Sequence, residues 1–487
     1  MLLLLLGGVL LWPALYNGQP LFFDDTPTYL RAVDAGVYRL TGQRTVWTRA
    51  ERPAAAPAAA PAESAAAGAA TATPAPAAAD PTGGRTPLAG RSAYYGALLY
   101  LGERTGGFWL TLALQAAALL LALGLTLRHW GGFTWTRLAL LAVGLALLTP
   151  AAFYAGYLMP DLFAGVTVLA VASLAVFGRR MGGGERLAWL ALLVAALLFH
   201  SSHLLLTASL LGLAVPLWLW RRRLSGQGIA LAGLALALGL AGESAFNLAV
   251  ERLAGVKPVR PPFLMARLIA DGPGYEYMKR HCPAAGFTVC DYMDRLPTLN
   301  SDVFLWSEDP RLGVFMAESG AVKRRLSGEQ LRFALAVIAD DPLAWLRSAA
   351  RNAWQQLSWF GVPEFNYNEL QKANFRQRIP QPHLAVLLAS RAGQGTMPVA
   401  IMGRVIYAAT LASLLAVAVW GWRHRRDGLD TPAAAFVALV LAGLLANALI
   451  CGLLSTPHDR YQARVIWLLP LLAGLLALRA RPAAPDT

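Results

Sequence analysis

Charge is scarce in this chain. Asp, Glu, Lys and Arg together make up 14% of its 487 residues, against 56% hydrophobic, and a water-soluble protein of this length does not keep so few charges. Acid is the scarcer sign, with 28 Asp and Glu against 42 Lys and Arg and a formal net charge of +14. There is no nucleotide-binding glycine motif, no strand-rich segment long enough to make a sheet, and no internal repeat. There are three cysteines. Cys451 falls in an apolar run, where it reads as packing. Cys282 and Cys290 lie in a long polar loop with only His281 beside them, which argues against a metal site and for a disulfide in an oxidising compartment.

What the chain has instead is long apolar runs. A bilayer core needs about 20 apolar residues per helix. Ten runs are candidates, near 1–16, 107–127, 137–159, 162–178, 187–200, 203–220, 227–248, 398–422, 433–455 and 464–480. The expected fold is an all-α polytopic membrane protein of about ten transmembrane helices, and mean hydropathy of +0.46 agrees. The first run, MLLLLLGGVLLW, lacks the basic start and Ala-x-Ala site of a signal peptide, so an uncleaved span is expected.

On a soluble protein the positive excess would point to nucleic acid. Here it follows the bias of short cytoplasmic loops toward Lys and Arg, and no nucleic-acid partner is expected. Arg128 and Arg137, Arg179, Arg180 and Arg186, Arg221 to Arg223, Arg423, Arg425 and Arg426, and Arg479 and Arg481 all fall on one side. Both termini are then cytoplasmic, and the loops 17–106 and 249–397 face outward, which is the periplasm if the membrane is the inner membrane of a Gram-negative bacterium.

Three regions follow. Residues 1–248 form an N-terminal membrane region of seven spans, whose first outer loop holds an Ala/Pro insert at 54–80 with nothing to bury, expected to be disordered. Residues 249–397 form a mainly helical outer region with Trp306, Trp345, Trp354 and Trp359 to build a modest core. Within it, DPLAWLRSAARNAWQQLS (341–358) has apolar residues at helical spacing, Asp341 as N-cap and Pro342 at the first helical position. A Trp-rich amphipathic helix suits the outer leaflet. Residues 398–487 supply the last three spans.

The acids beside the spans gather on the outer side, and five places there have chemical potential. Asp24 and Asp25 follow the first span in GQPLFFDDTPTYL, with Tyr29 four residues past Asp25; the competing role is to cap a surface helix. Asp161 opens the fourth span in YLMPDLFAG, where it can act on substrate or cap that helix. In HDRYQARVIWLLP, Arg460 and Arg464 are four apart on one helix face beside Tyr461, and a guanidinium fork suits phosphate; snorkelling to headgroups is the alternative. His200 and His203 form a turn that can contact phosphate or a metal, or merely cap. Glu243 and Asn247 mark the outer end of the seventh span, where an acid is a candidate by default.

The carboxylate pair after the first span, with Asp-x-x-x-aromatic spacing from Asp25 to Tyr29, resembles the first outer loop of the GT-C superfamily. These are integral-membrane glycosyltransferases that use polyprenyl-phosphate sugars, among them dolichyl-phosphate mannosyltransferases and aminoarabinose transferases. Asp161 and the Arg460-Tyr461 segment with its later Leu-Pro are similar to further GT-C features. The resemblance implies Asp25 as catalytic carboxylate with Asp24 and Asp161 in support. It implies a lipid-linked sugar donor whose phosphate Arg460 and Arg464 hold, with Tyr29, Tyr461, His200 and His203 lining the substrate site. The acceptor would be a lipid, glycan or protein, and a divalent metal is an open option. The chain departs from the pattern at Thr26, where an acidic partner is usual. Competing classes are a transporter or flippase of lipid-linked sugars, a glycan polymerase or ligase, and a membrane scaffold whose outer loop binds a partner.

Overall fold

The protein is described by a computed structural model over residues 1–49, 87–89, 91–221, 223–298, 300–426 and 431–479. The Ala/Pro insert 54–80 and Arg481 lie outside the described residues. Every regular element among those described is helical. Seven helices are long and apolar enough to cross a membrane: Trp109–His129, Pro160–Phe177, Ser201–Trp220, Gly226–Leu253, Val399–Arg423, Pro432–Leu454 and Asp459–Arg479. The chain is in that sense a multi-pass membrane protein.

The remaining three of the ten expected runs form shorter helices, each for a local reason. The first breaks at Leu11 into Leu2–Leu10 and Trp12–Asn17, with Pro13 in the first turn of the second piece. Trp135–Leu148 stops because Pro150 disfavours helical backbone at Thr149, which is extended at φ −137° and ψ 167°. Gly183–Phe199 has 17 residues, roughly 25 Å at 1.5 Å per residue, which falls short of a bilayer core of about 30 Å.

Pro160–Phe177 is the axis of the bundle, with 94% of its apolar window buried. Its Ala, Gly, Val and Ser residues are apolar or small all round, as a helix enclosed on every side requires. Close packing depends on missing side chains. A Cβ at Gly165 would lie 2.3 Å from the Trp467 ring, and one at Gly443 would lie 2.6 Å from Val168. The helices bearing Asp161 and Arg464 are therefore in van der Waals contact near the site.

The long segment between the Gly226–Ala254 and Val399–Arg423 helices divides in its packing. Val259, Met265, Phe304, Phe315 and Phe333 belong to a second core of their own, and a disulfide joins Cys282 to Cys290 as expected. Phe360, Phe365, Phe375 and Leu387 instead join the core of the membrane bundle. Between them runs Pro342–Ser358, capped by Asp341, which accepts from Ala344 N at 2.8 Å. This helix packs on Pro432–Leu454, where a Cβ at Gly452 would meet the Asn352 carbonyl oxygen at 2.9 Å, and it leaves Leu343, Leu346 and Trp354 exposed. Its Gln356 makes two hydrogen bonds with His458, accepting from the backbone N at 3.1 Å and donating to the carbonyl at 2.8 Å.

Two outcomes follow from this packing. Gly165→Val overfills the contact with Trp467, and overpacking of this kind costs about 1–3 kcal/mol; the purified variant should unfold at a lower temperature than wild type, whereas Gly144→Val, with open space around its Cβ, should not. Alkylation of denatured, unreduced protein should label Cys451 alone, and reduction first should add label at Cys282 and Cys290.

Candidate functional site

The Asp24–Asp25 turn is fastened from three directions before its carboxylates come into play. Leu21 N donates to the Gly156 carbonyl at 3.0 Å and Leu158 N donates back to the Leu21 carbonyl at 2.9 Å, a short parallel bridge. Thr26 Oγ1 accepts from Phe23 N at 3.0 Å and donates to the Leu158 carbonyl at 3.1 Å. Phe22 N donates to the Tyr367 hydroxyl at 2.9 Å. The turn is thereby held to the segment leading into Asp161 and to the long loop region together.

Asp25 is the N-cap residue of Thr26–Thr41, yet its side chain makes no capping bond. It accepts from Arg91 Nη2 at 2.7 Å instead. Asp24 is partly covered, and burial followed by the neighbouring Asp25 charge raises its pKa to about 6, while Asn374, Arg378 and Arg460 pull it down.

Asp161 is 2% exposed, in the turn Pro160–Leu162 that leads into the axial helix. It caps nothing. One oxygen faces Arg460 Nε at 3.6 Å and Arg464 Nη1 at 3.5 Å, and neither oxygen has a hydrogen-bond partner. Two guanidinium groups around one carboxylate leave an excess of one positive charge in a buried place, and buried charge is costly unless it is paired. The two arginines differ in what they have left to offer. Arg464 Nη2 donates to Asn447 Oδ1 at 3.0 Å, Cys451 Sγ at 3.2 Å and Ser202 Oγ at 3.4 Å. Arg460 stacks 4.0 Å from the centroid of Phe23, the residue before Asp24, and its Nη1 is buried without a partner. The segments around Asp24–Asp25, Asp161 and Arg460 thus converge, although they are far apart in sequence.

The other expected residues are placed as follows. Tyr29 is buried against Tyr95, its hydroxyl has no partner, and burial pushes its pKa up within reach of the Arg91, Asp25, Asp161 and Arg460 charges. Tyr461 lends its ring to both arginines, while its hydroxyl is turned to Ser455 Oγ at 3.2 Å. His200 Nδ1 is used locally by Ser202. His203 shares its Nδ1 with the Ala196 carbonyl at 2.7 Å and has a buried, unpartnered Nε2. The histidine turn meets the cluster through Ser202, which accepts from Arg464, and both histidines lie in the field of the Arg464 charge. Glu243 pairs with Arg260.

Three participants were missed from sequence. Arg91 lies in the stretch between the Ala/Pro insert and the Ala93–Gly106 helix, with no charged neighbour or motif to single it out. Its guanidinium lies between Asp25 and the Trp306 ring, 5.6 Å from the ring centroid. Glu364 comes from the short turn Pro363–Phe365 and accepts from the Tyr154 hydroxyl at 3.3 Å; burial raises its pKa to about 8, with Arg460 opposing and Asp161 and Asp459 adding to the rise. Tyr157, whose hydroxyl is also buried and unpartnered, packs edge-on to Phe23 at 5.9 Å. Acid-on-acid proximity was the available signal for none of these, since each stands alone in sequence.

Chemically, the arrangement offers guanidinium donors, carboxylate acceptors and phenols whose polar atoms are buried and unsatisfied: Asp24 Oδ1, Tyr29 Oη, Arg91 Nε, Tyr157 Oη, both Asp161 oxygens and Arg460 Nη1. Native proteins leave few such groups, and their concentration here suits a polar ligand with anionic character. No set of three or more His, Cys, Asp or Glu side chains among the described residues is arranged to hold a metal ion. A larger cleft of about 510 Å³ lies elsewhere, between the N-terminal helix and Trp109–His129. Its walls are mostly aliphatic, with Arg128, Phe133 and Trp135 among them, and carry none of these groups. No family model, curated protein or solved structure matches this chain.

Removing Asp161 strands two buried cations, and breaking a buried pair in this way costs about 3–5 kcal/mol. Asp161→Ala should lower the unfolding temperature sharply, and Asp161→Ala with Arg464→Met should recover part of the loss. Equal stability of Asp161→Ala and wild type would mean that the carboxylate does not hold the arginines.

Proposed function

We propose that this chain is an integral-membrane glycosyltransferase of the GT-C type, transferring a sugar from a polyprenyl-phosphate donor to an acceptor. The observation that carries the reading is the convergence of the Asp24–Asp25 turn with Arg460 and Asp161 amid buried polar atoms that lack partners. A phosphosugar has acceptor oxygens for the guanidinium N–H groups and hydroxyls for the carboxylates and phenols. The excess of Arg in the loops at the other end of the helices favours a cytoplasmic position there, and so an outer, periplasmic position for this cluster in a bacterial inner membrane; both termini are then inside if the three shorter helices also cross, giving ten passes.

In the proposed reaction Asp25 takes the proton from an acceptor hydroxyl or amine. The acceptor attacks the anomeric carbon, the bond from that carbon to the phosphate oxygen breaks, and the electron pair leaves with polyprenyl phosphate. Arg460, with Arg91 nearby, stabilises that departing anion. Arg464 acts through Asp161, which it helps to fix in front of Arg460. No nucleotide site is needed for a donor that arrives joined to lipid. A transporter would be expected to keep its polar groups near the bilayer midplane on broken helices; here they gather beyond the helix ends, in loops and first turns. The second core, which carries Trp306 to the edge of the cluster, is suited to choosing the acceptor.

The decisive comparison is mass spectrometry of surface glycans and lipid-linked sugars from cells carrying Asp25→Asn, at matched protein levels. Loss of one glycan modification with build-up of its lipid-linked donor is expected, and an unchanged profile would remove the enzyme. A pH profile adds a second reading. The Asp24 pKa is raised to about 6, so its carboxylate form prevails above that pH, and turnover should rise as pH increases through it. An Asn side chain is neutral at every pH, so in Asp24→Asn this rise should be lost and turnover should stay near the acid-side level across the same range.

A further inference from the structure

We propose that Arg91 is a phosphate-operated latch: it holds Asp25 ion-paired in the unloaded site and lets go when the phosphate of a lipid-linked ligand takes its guanidinium. The inference rests on the glycosyltransferase reading and adds an order of binding to it.

The backbone at Arg91 is anchored. Ser92, the next residue, caps the Ala93–Gly106 helix through its hydroxyl, which accepts from Tyr94 N and Tyr95 N and donates to the Leu198 carbonyl at 2.5 Å. Movement therefore belongs to the side chain. One end of the guanidinium, Nη2, is on Asp25 at 2.7 Å, while Nε is buried and has no partner. The Trp306 ring flanks the group at 5.6 Å and gives it a flat surface along which to turn. Arg91 also lines a narrow cleft whose walls combine Leu197, Leu204 and Phe246 with Ser201, Asn247 and Glu243, the last paired with Arg260. The apolar walls belong to helices of the bundle, which suits the approach of a phosphate carried on a lipid.

Two partners then compete for one fork. Asp25 takes a single N–H here, whereas a phosphate can take two parallel N–H bonds. Arg91 and Arg460 repel each other electrostatically, and a phosphate bonded to both offsets that repulsion. Once the phosphate is engaged, the Asp25 carboxylate is free to accept a proton. The base is exposed only when a donor is present, and departure of polyprenyl phosphate closes the pair again. No bond is made or broken in the latch itself.

The test is equilibrium binding of polyprenyl phosphate, without sugar, to the full chain in lipid nanodiscs, with polyprenol and inorganic phosphate as comparison ligands. Arg91→Gln should weaken polyprenyl phosphate binding by about tenfold or more, the usual size of a lost charged hydrogen bond, and Arg91→Lys should restore part of it. Asp25→Asn should bind more tightly than wild type, because the competitor for Arg91 is gone; a residue that merely supported the fold would not produce this. Unchanged or weaker binding in Asp25→Asn, or wild-type binding in a folded Arg91→Gln, overturns the latch while leaving the transferase reading in place. No binding of polyprenyl phosphate to wild type overturns both. An equal response to inorganic phosphate marks a free-anion site and overturns the lipid-borne ligand.

Discussion

One carboxylate inside the bundle governs the arrangement of everything around it. Asp161 lies between Arg460 and Arg464 in a chain with little charge to spare, and an ionised group so deep is tolerated only when its counter-charges are fixed. The surrounding structure supplies that fixing. Asn447, Cys451 and Ser202 hold Arg464, the Phe23 ring supports Arg460, and the glycine at 165 lets Trp467 approach the axial helix. What remains is a guanidinium edge on Arg460, pre-positioned and not yet satisfied, with its charge pointing toward the acidic turn.

Much of this was legible in the amino-acid order, and the reasons differ by element. Long apolar helices announce themselves by composition, because lipid admits nothing else. Seven of the expected runs form helices of spanning length; the other three fall short through Pro13, Pro150 and a helix of 17 residues, features that act on backbone geometry and do not lower hydropathy. Asp341 and Pro342 marked a helix start because capping is a local interaction. The Cys282–Cys290 pair was readable from the near-absence of other cysteines and metal-binding neighbours.

The cluster was legible only in part. Asp24, Asp25, Asp161 and Arg460 stand out as charges beside apolar runs. Arg464 looked equivalent to Arg460, and only tertiary partners separate the one that is committed from the one that is available. Arg91 and Glu364 carry no local signal at all: their significance comes from what lies opposite them in space, Asp25 and Trp306 for the first, Tyr154 and Arg460 for the second. His200 and His203 are in between: their Nδ1 atoms are used locally, while His203 Nε2 is buried without a partner.

The two hydrogen bonds between Gln356 and His458, with the bond from Gly361 N to Asp459 Oδ1 at 2.6 Å, tie the Trp-rich helix and its following loop to the very start of the helix that carries Arg460. A push on that helix from outside is therefore delivered to the guanidinium through stiff backbone within a single turn. Such a strut makes the position of the Arg460 guanidinium sensitive to whatever leans on the exposed Trp354 face, so that bilayer thickness or a docked neighbour acts on the cluster without ever reaching it.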